Sequence, residues 1–174
     1  MNEEFDPAKI EQPVDILAKI NSALTGLGST MQWLRAPDAR SEYKPLEGRR
    51  IVMVDDVQMV LEGMLPELIV ATSGNAEPIH FTGQQVEDLI AQILSANPEI
   101  VLVDYHLSEQ LKGSEVTALL RRAGFTGTVI GFSSDPDTVR AMERAGGNGC
   151  VKKEAGFPED TVIELAKFIE SKNL

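Results

Sequence analysis

The chain has 174 residues, 43% of them apolar and 25% charged, which suits one water-soluble globular domain with a short appendage and excludes disordered and fibrous classes. Sixteen basic residues against 27 acidic ones leave a formal charge of -11; the pairs Arg49-Arg50, Arg121-Arg122 and Lys152-Lys153 are isolated, so no basic patch opposes the overall field and no direct nucleic-acid partner is expected. No apolar run nears the roughly 18 residues of a membrane helix, and the start MNEEFDPAKIEQP lacks the basic-then-apolar order of a signal peptide, so no membrane partner is expected and the cytoplasm is the default.

Residues 1–48 differ in texture from the rest. Pro7, Pro13, Pro37 and Pro45 frame one helical stretch, and a polar, turn-prone APDARSEYKPLEG leads into Arg49, which sets an expected boundary near Gly48. Within the stretch Leu17, Ile20, Leu24, Leu27, Met31 and Leu34 recur at spacings that put them on one helical stripe. Gly26 and Gly28, each costing about 1 kcal/mol against Ala, argue against an independent coiled coil. The stripe is too apolar to be left in water. Because the helices expected downstream can cover their own sheet, burial against a second copy is favoured, giving a homodimer through the N-terminal helix, with docking on the same chain as the alternative.

From Arg49 onward short apolar runs alternate with helical periodicity. IVMV (51–54) precedes a helix from about Val57 that Pro66 is expected to end or kink. PIHF (78–81) and the amphipathic 84–96 form a second unit, EIVLVD (99–104) and 113–123 a third, TVIGF (128–132) and 136–145 a fourth, and GCVK (149–152) and 159–171 a fifth. Strands apolar at consecutive positions suit a parallel sheet covered on both faces, so the expected fold is α/β, a doubly wound five-stranded sandwich with right-handed crossovers.

In such a sheet the site lies outside the carboxyl ends of the strands. The first strand ends in Asp55-Asp56, the third in Asp104, the fourth in Ser133-Ser134 and the fifth in Lys152-Lys153. Each alone is ordinary: an acidic pair after a strand is commonly a cap, SSDP is a reasonable helix start, and paired lysines are usually surface. Together, three carboxylates, a hydroxyl and an ammonium at one edge make sense around a divalent cation and a phosphoryl group. Mg²⁺ takes oxygen ligands of this type. Asp104, central in the sheet, is the candidate nucleophile, with the hydroxyl and the lysine bonding the phosphoryl oxygens. A single cysteine, Cys150, and only two histidines, His80 and His106, argue against a disulfide, a zinc site and His-based catalysis.

IVMVDD, VLVDYHL, VIGFSS and GCVKK, in that order, resemble the acidic-pair, phosphoacceptor, hydroxyl and lysine motifs of the response-regulator receiver domain, over residues 49–174. The resemblance implies a flavodoxin-like fold with Asp55 and Asp56 as the metal-binding pair and Asp104 as phosphoacceptor and further ligand. By the same resemblance Ser133 is the switch hydroxyl, Lys153 the site lysine, and His106 the residue whose backbone carbonyl completes the Mg²⁺ site. Strand alternation also favours Lys153 over Lys152. Three positions depart from the family's common pattern: Cys150 where an aromatic is frequent, and Ser108 and Glu154 where proline is.

The function implied is a stand-alone receiver, since the chain ends with the fifth helix. It would take a phosphoryl group from a histidine kinase or histidine phosphotransfer protein and signal to a downstream protein by changed contacts, catalysing only its own phosphorylation and dephosphorylation. Two other readings remain: a receiver-like interaction module independent of phosphorylation, and an Asp-nucleophile phosphatase or phosphotransferase. The last lacks the second carboxylate usual two residues after the nucleophile, where His106 stands. The leader has no histidine and is no phosphodonor.

Overall fold

The computed structural model describes residues 41–133, 135, 137–153 and 158–174. Five strands alternate with five helices: β1 (Ile51–Asp55), α1 (Gln58–Ala71), β2 (Ala76–His80), α2 (Val86–Ser95), β3 (Ile100–Asp104), α3 (Gly113–Arg122), β4 (Thr128–Ser133), α4 (Thr138–Arg144), β5 (Gly149–Lys152) and α5 (Pro158–Lys172). The strands form one all-parallel sheet in the order β2-β1-β3-β4-β5. This is the flavodoxin-like winding, whose switch point falls between β1 and β3.

Each strand feeds two cores because its side chains alternate between faces. Ile51 and Met53, Ile100 and Leu102, Ile130 and Phe132 pack with Leu61, Met64 and Leu68 of α1 and Val162, Leu165 and Ile169 of α5. Val52 and Val54, Val101 and Val103, and Val129 face Leu89 and Ile93 of α2, Val116 and Leu120 of α3, and Met142 of α4. β1 and β3 are buried at every position, which explains their unbroken apolar runs.

Both sheet edges are blunted. Flanking β2, the Asn75 carbonyl accepts from the Ile51 amide of β1 and the Phe81 amide donates to the Asp55 carbonyl, an alternation that turns the odd-numbered amides of β2 toward β1. Pro78, exposed with Glu77 beside it, therefore lacks its N–H on the free edge. β5, at the other edge, has four residues and ends in the exposed Lys152.

Two features differ from the expectation. Pro66 does not end α1, which runs on to Ala71. Its missing N–H removes one intrahelical bond, to the carbonyl of Glu62, but both residues are exposed, so that carbonyl is open to solvent while Leu61, Met64, Leu68 and Ala71 hold the helix to the core. The core also starts before the boundary drawn at Gly48. The compact unit runs from Arg40 to Leu174, and a 3₁₀ turn at Lys44–Leu46 buries Leu46 completely. Tyr43 is buried beside it and its hydroxyl donates to the Glu67 carboxylate on α1; burial, then that carboxylate, push the phenol well above its ordinary range. The apolar stripe from Leu17 to Leu34 lies outside the described residues. Among those residues no helix is long and apolar enough to cross a membrane.

Leu46→Ala is expected to destabilise the protein by about 2–5 kcal/mol, the usual cost of emptying a fully buried leucine site. Urea unfolding measures it, and a loss near zero would place residues 43–46 outside the cooperative unit.

Candidate functional site

Val54 pairs with Val103, so the next residues, Asp55 and Asp104, stand side by side at the carboxyl ends of β1 and β3. Strand alternation puts both on the sheet face that carries α1 and α5. Asp55 is fully buried and Asp104 nearly so, while Asp56, one residue past the strand, is half-buried. Carboxylate oxygens of all three lie within 4.8 Å of one another.

Lys153 follows β5 on the same face as Val151, and its Nζ lies 2.7 Å from Asp55 Oδ2 and 3.1 Å from Asp104 Oδ1. Its ammonium also sits 5.2 Å from the centre of the Phe132 ring, a cation–π contact that partly offsets lost hydration. Lys152, of opposite parity, is exposed. Burial alone would lower the Lys153 pKa, but the bond to Asp55 and the charges of Asp104 and Asp55 hold it above the ordinary lysine value. For Asp55 burial wins: its pKa is raised although Lys153 and the Val57 amide both favour the carboxylate.

The remaining contacts orient the carboxylates. Val57, at the start of α1, donates its N–H to Asp55 Oδ1 at 2.9 Å, and the His106 amide donates to Asp104 Oδ2 at 2.9 Å. The His106 ring is exposed; its Nδ1 is 3.2 Å from Lys112 Nζ and the ring meets Tyr105 edge-on. Gly113 opens α3 directly against Asp104: a Cβ there would come within 2.5 Å of the Asp104 carbonyl oxygen, so only glycine lets the loop close this tightly. Lys112 N–H donates to Glu115 at 2.9 Å, securing the start of that helix.

Ser133 joins the site through its main chain, its carbonyl accepting the Lys153 amide at 3.0 Å. Its hydroxyl accepts from the Asp135 amide at 3.1 Å, and among the described residues no bond runs from it to the carboxylates. Cys150 is half-buried with its thiol pushed up by burial, 3.8 Å from the Thr138 hydroxyl. It faces Gly131, where a Cβ would lie 2.6 Å from the Cys150 sulfur, so the small residue on β4 makes room for the sulfur on β5.

Three carboxylates opposed by one ammonium are a donor set of hard, negatively charged oxygens, which fits Mg²⁺. The strand ends named the carboxylates, Ser133 and the lysine pair; they did not reveal His80, whose Nε2 is 3.0 Å from the Asp56 carbonyl oxygen. Its only sequence signal is its place at the end of β2, which becomes informative once β2 is known to neighbour β1.

The sequence matches no family model and none of the curated proteins. The structure is similar to the signal receiver domain of a putative response regulator, NarL, from Mycobacterium tuberculosis, with a TM-score of 0.56, 20% identity, and coverage of 73% of this chain and 98% of that one. It is similar also to the signal receiver domain of a modulated diguanylate cyclase from Desulfovibrio desulfuricans G20, with a TM-score of 0.52, 23% identity, and coverage of 71% and 94%. A LuxR-family DNA-binding response regulator from Staphylococcus aureus gives a TM-score of 0.55 at 21% identity, with 72% and 99% covered. The class is thus the flavodoxin-like α/β sandwich. Within it, the chain has the receiver-domain fold of response regulators.

The raised pKa of Asp55 means that the folded state holds this proton more tightly than the unfolded chain. Ionisation therefore costs stability as pH rises above the ordinary value of 3.8, and the loss persists at neutral pH. Lys153 has the opposite effect, contributing stability below 10.5 that fades only above that pH. Asp55→Asn is expected to raise the metal-free thermal midpoint at pH 7, on a scale of about 2–4 °C per kcal/mol, with the gain shrinking as pH falls toward 3.8. Thermal melts in chelator across this pH range check it; a wild type more stable than the variant at pH 7 would show that the Lys153 bond outweighs burial.

Proposed function

We propose that the protein is a phosphoryl-accepting receiver: it takes a phosphoryl group onto Asp104 from a phosphohistidine of a histidine kinase or phosphotransfer protein and signals through altered protein–protein contacts. The observation that carries this reading is Lys153 bridging Asp55 and Asp104 at the β1/β3 switch point. A nucleophilic carboxylate, a cation for the phosphoryl oxygens and a metal-binding acidic pair thereby share one edge.

In the transfer an Asp104 carboxylate oxygen attacks phosphorus while the bond to the donor imidazole nitrogen breaks. An acyl phosphate forms, and the imidazole leaves with the bonding pair. Asp55, Asp56 and Asp104, with the His106 carbonyl, would hold Mg²⁺, which would neutralise the crowded negative charge when bound. Lys153 exchanges its bond to Asp104 for one to a phosphoryl oxygen, and Ser133, whose hydroxyl proton is not used by the Asp135 contact, donates to another. Hydrolysis of the acyl phosphate resets the protein, so its catalysis is confined to its own modification.

Intact-mass measurement with Mg²⁺ and a small acyl phosphate donor tests the assignment, the expected result being the gain of one phosphoryl group. Asp104→Asn is expected to abolish the adduct, Lys153→Ala to slow its formation by about 10²-fold or more, and Lys152→Ala to behave as wild type. An adduct that survives Asp104→Asn overturns the reading.

A second copy of the chain is the partner proposed for the leader, because helices α1–α5 already cover both faces of the sheet while the stripe from Leu17 to Leu34 needs burial. Light scattering on the full chain at tens of micromolar is expected to give a dimer, and Leu24→Glu with Leu27→Glu a monomer. A monomeric wild type refutes the dimer, and a dimer unaffected by the substitutions moves the interface to another surface.

A further inference from the structure

The peptide unit between Asp56 and Val57 is held at both ends. Its N–H, carried by Val57, donates to Asp55 Oδ1 at 2.9 Å. Its C=O, carried by Asp56, is 3.0 Å from His80 Nε2. A carbonyl oxygen can only accept, so Nε2 carries the proton and His80 is the donor. Neither neighbouring element supplies that bond. The ladder between β1 and β2 finishes with the Asp55 carbonyl, taken by the Phe81 amide, and the ladder of α1 starts with the Val57 carbonyl, taken by the amides of Val60 and Leu61. Asp56 falls in the gap between strand and helix.

We infer that His80 is a positioning residue for the metal-binding acidic pair, clamping the 56–57 peptide so that the Asp56 carboxylate is aimed into the site and the Val57 N–H is aimed at Asp55. The inference rests on the proposed phosphoryl-receiver reading and adds to it a residue outside the motifs that suggested it. Asp56 has the greater need of such a clamp. Asp55 and Asp104 are each tied to Lys153, whereas the direction of the Asp56 carboxylate follows from its main chain. The register agrees: His80 pairs with Asp55, and paired residues of parallel strands project to the same face, so the imidazole emerges beside the turn it holds. It is half-buried, which shields the bond from competing water without sealing it.

Binding of Mn²⁺ alone to the full chain, read from the electron paramagnetic resonance signal of the free ion, tests this without reference to phosphorylation. Groups that orient metal ligands typically change affinity by about 10–100-fold when removed, so His80→Leu is expected to weaken Mn²⁺ binding at least about tenfold. His80→Gln, whose amide nitrogen can occupy the place of Nε2, is expected to recover most of the affinity. It also keeps the test informative should the leucine variant fold poorly. Wild-type affinity in both variants overturns the inference, as does equal weakening in both, which would trace the effect to shape rather than the hydrogen bond. A wild-type chain that does not bind Mn²⁺ overturns the receiver reading itself and this inference with it.

Discussion

One ammonium group facing two buried carboxylates organises this molecule's working end. Asp55 and Asp104 are brought together by the register of β1 and β3, and without a cation between them the low-dielectric environment would force them apart or protonate one. Lys153 reaches them only because β5 lies two strands from β3 and delivers the residue after its last rung onto the correct face. Phe132 on the intervening strand gives the ammonium an aromatic surface to rest on. The order of strands and the parity of each are thus conditions for the charge balance.

The same balance is incomplete by design of the sequence. Among the described residues three carboxylates meet one lysine, leaving an excess of negative charge that an added divalent cation can neutralise. The loop after β3 is shaped by close approach rather than by bulk: α3 begins against the Asp104 backbone at Gly113, while the His106 and Val57 amides bond the Asp104 and Asp55 carboxylates. Such contacts fix where the acids point but contribute little burial of their own, and stability comes from the two apolar layers behind them.

How far the sequence carries can be judged from particular residues. Unbroken runs such as IVMV and IVLV announce strands buried on both faces, and the polar residue ending each run marks the functional edge, because a charge can terminate a buried strand only where water or a partner charge is available. Tyr43 and Leu46 were illegible for the opposite reason. They stand three apart in a polar stretch with Pro45 between them, which reads as a linker, and their burial follows from a single 3₁₀ turn in which positions three apart align. Pro66, expected to end or kink α1, does not end it, because Leu61, Met64, Leu68 and Ala71 on the buried face carry the helix past it. His80 required knowledge of which strand lies beside which, an arrangement that no local window contains.

The blunted margins of the sheet bear on how anything else can engage this domain. A proline whose missing donor falls on the outer margin of β2, and a four-residue strand ending in an exposed lysine on the far side, deprive an incoming extended peptide of the continuous row of main-chain groups that strand addition requires. Recognition is thereby left to side chains on helices and loops. Strand addition would hold a guest through the main chain alone, whereas a surface of side chains holds one only through its own shape and charge.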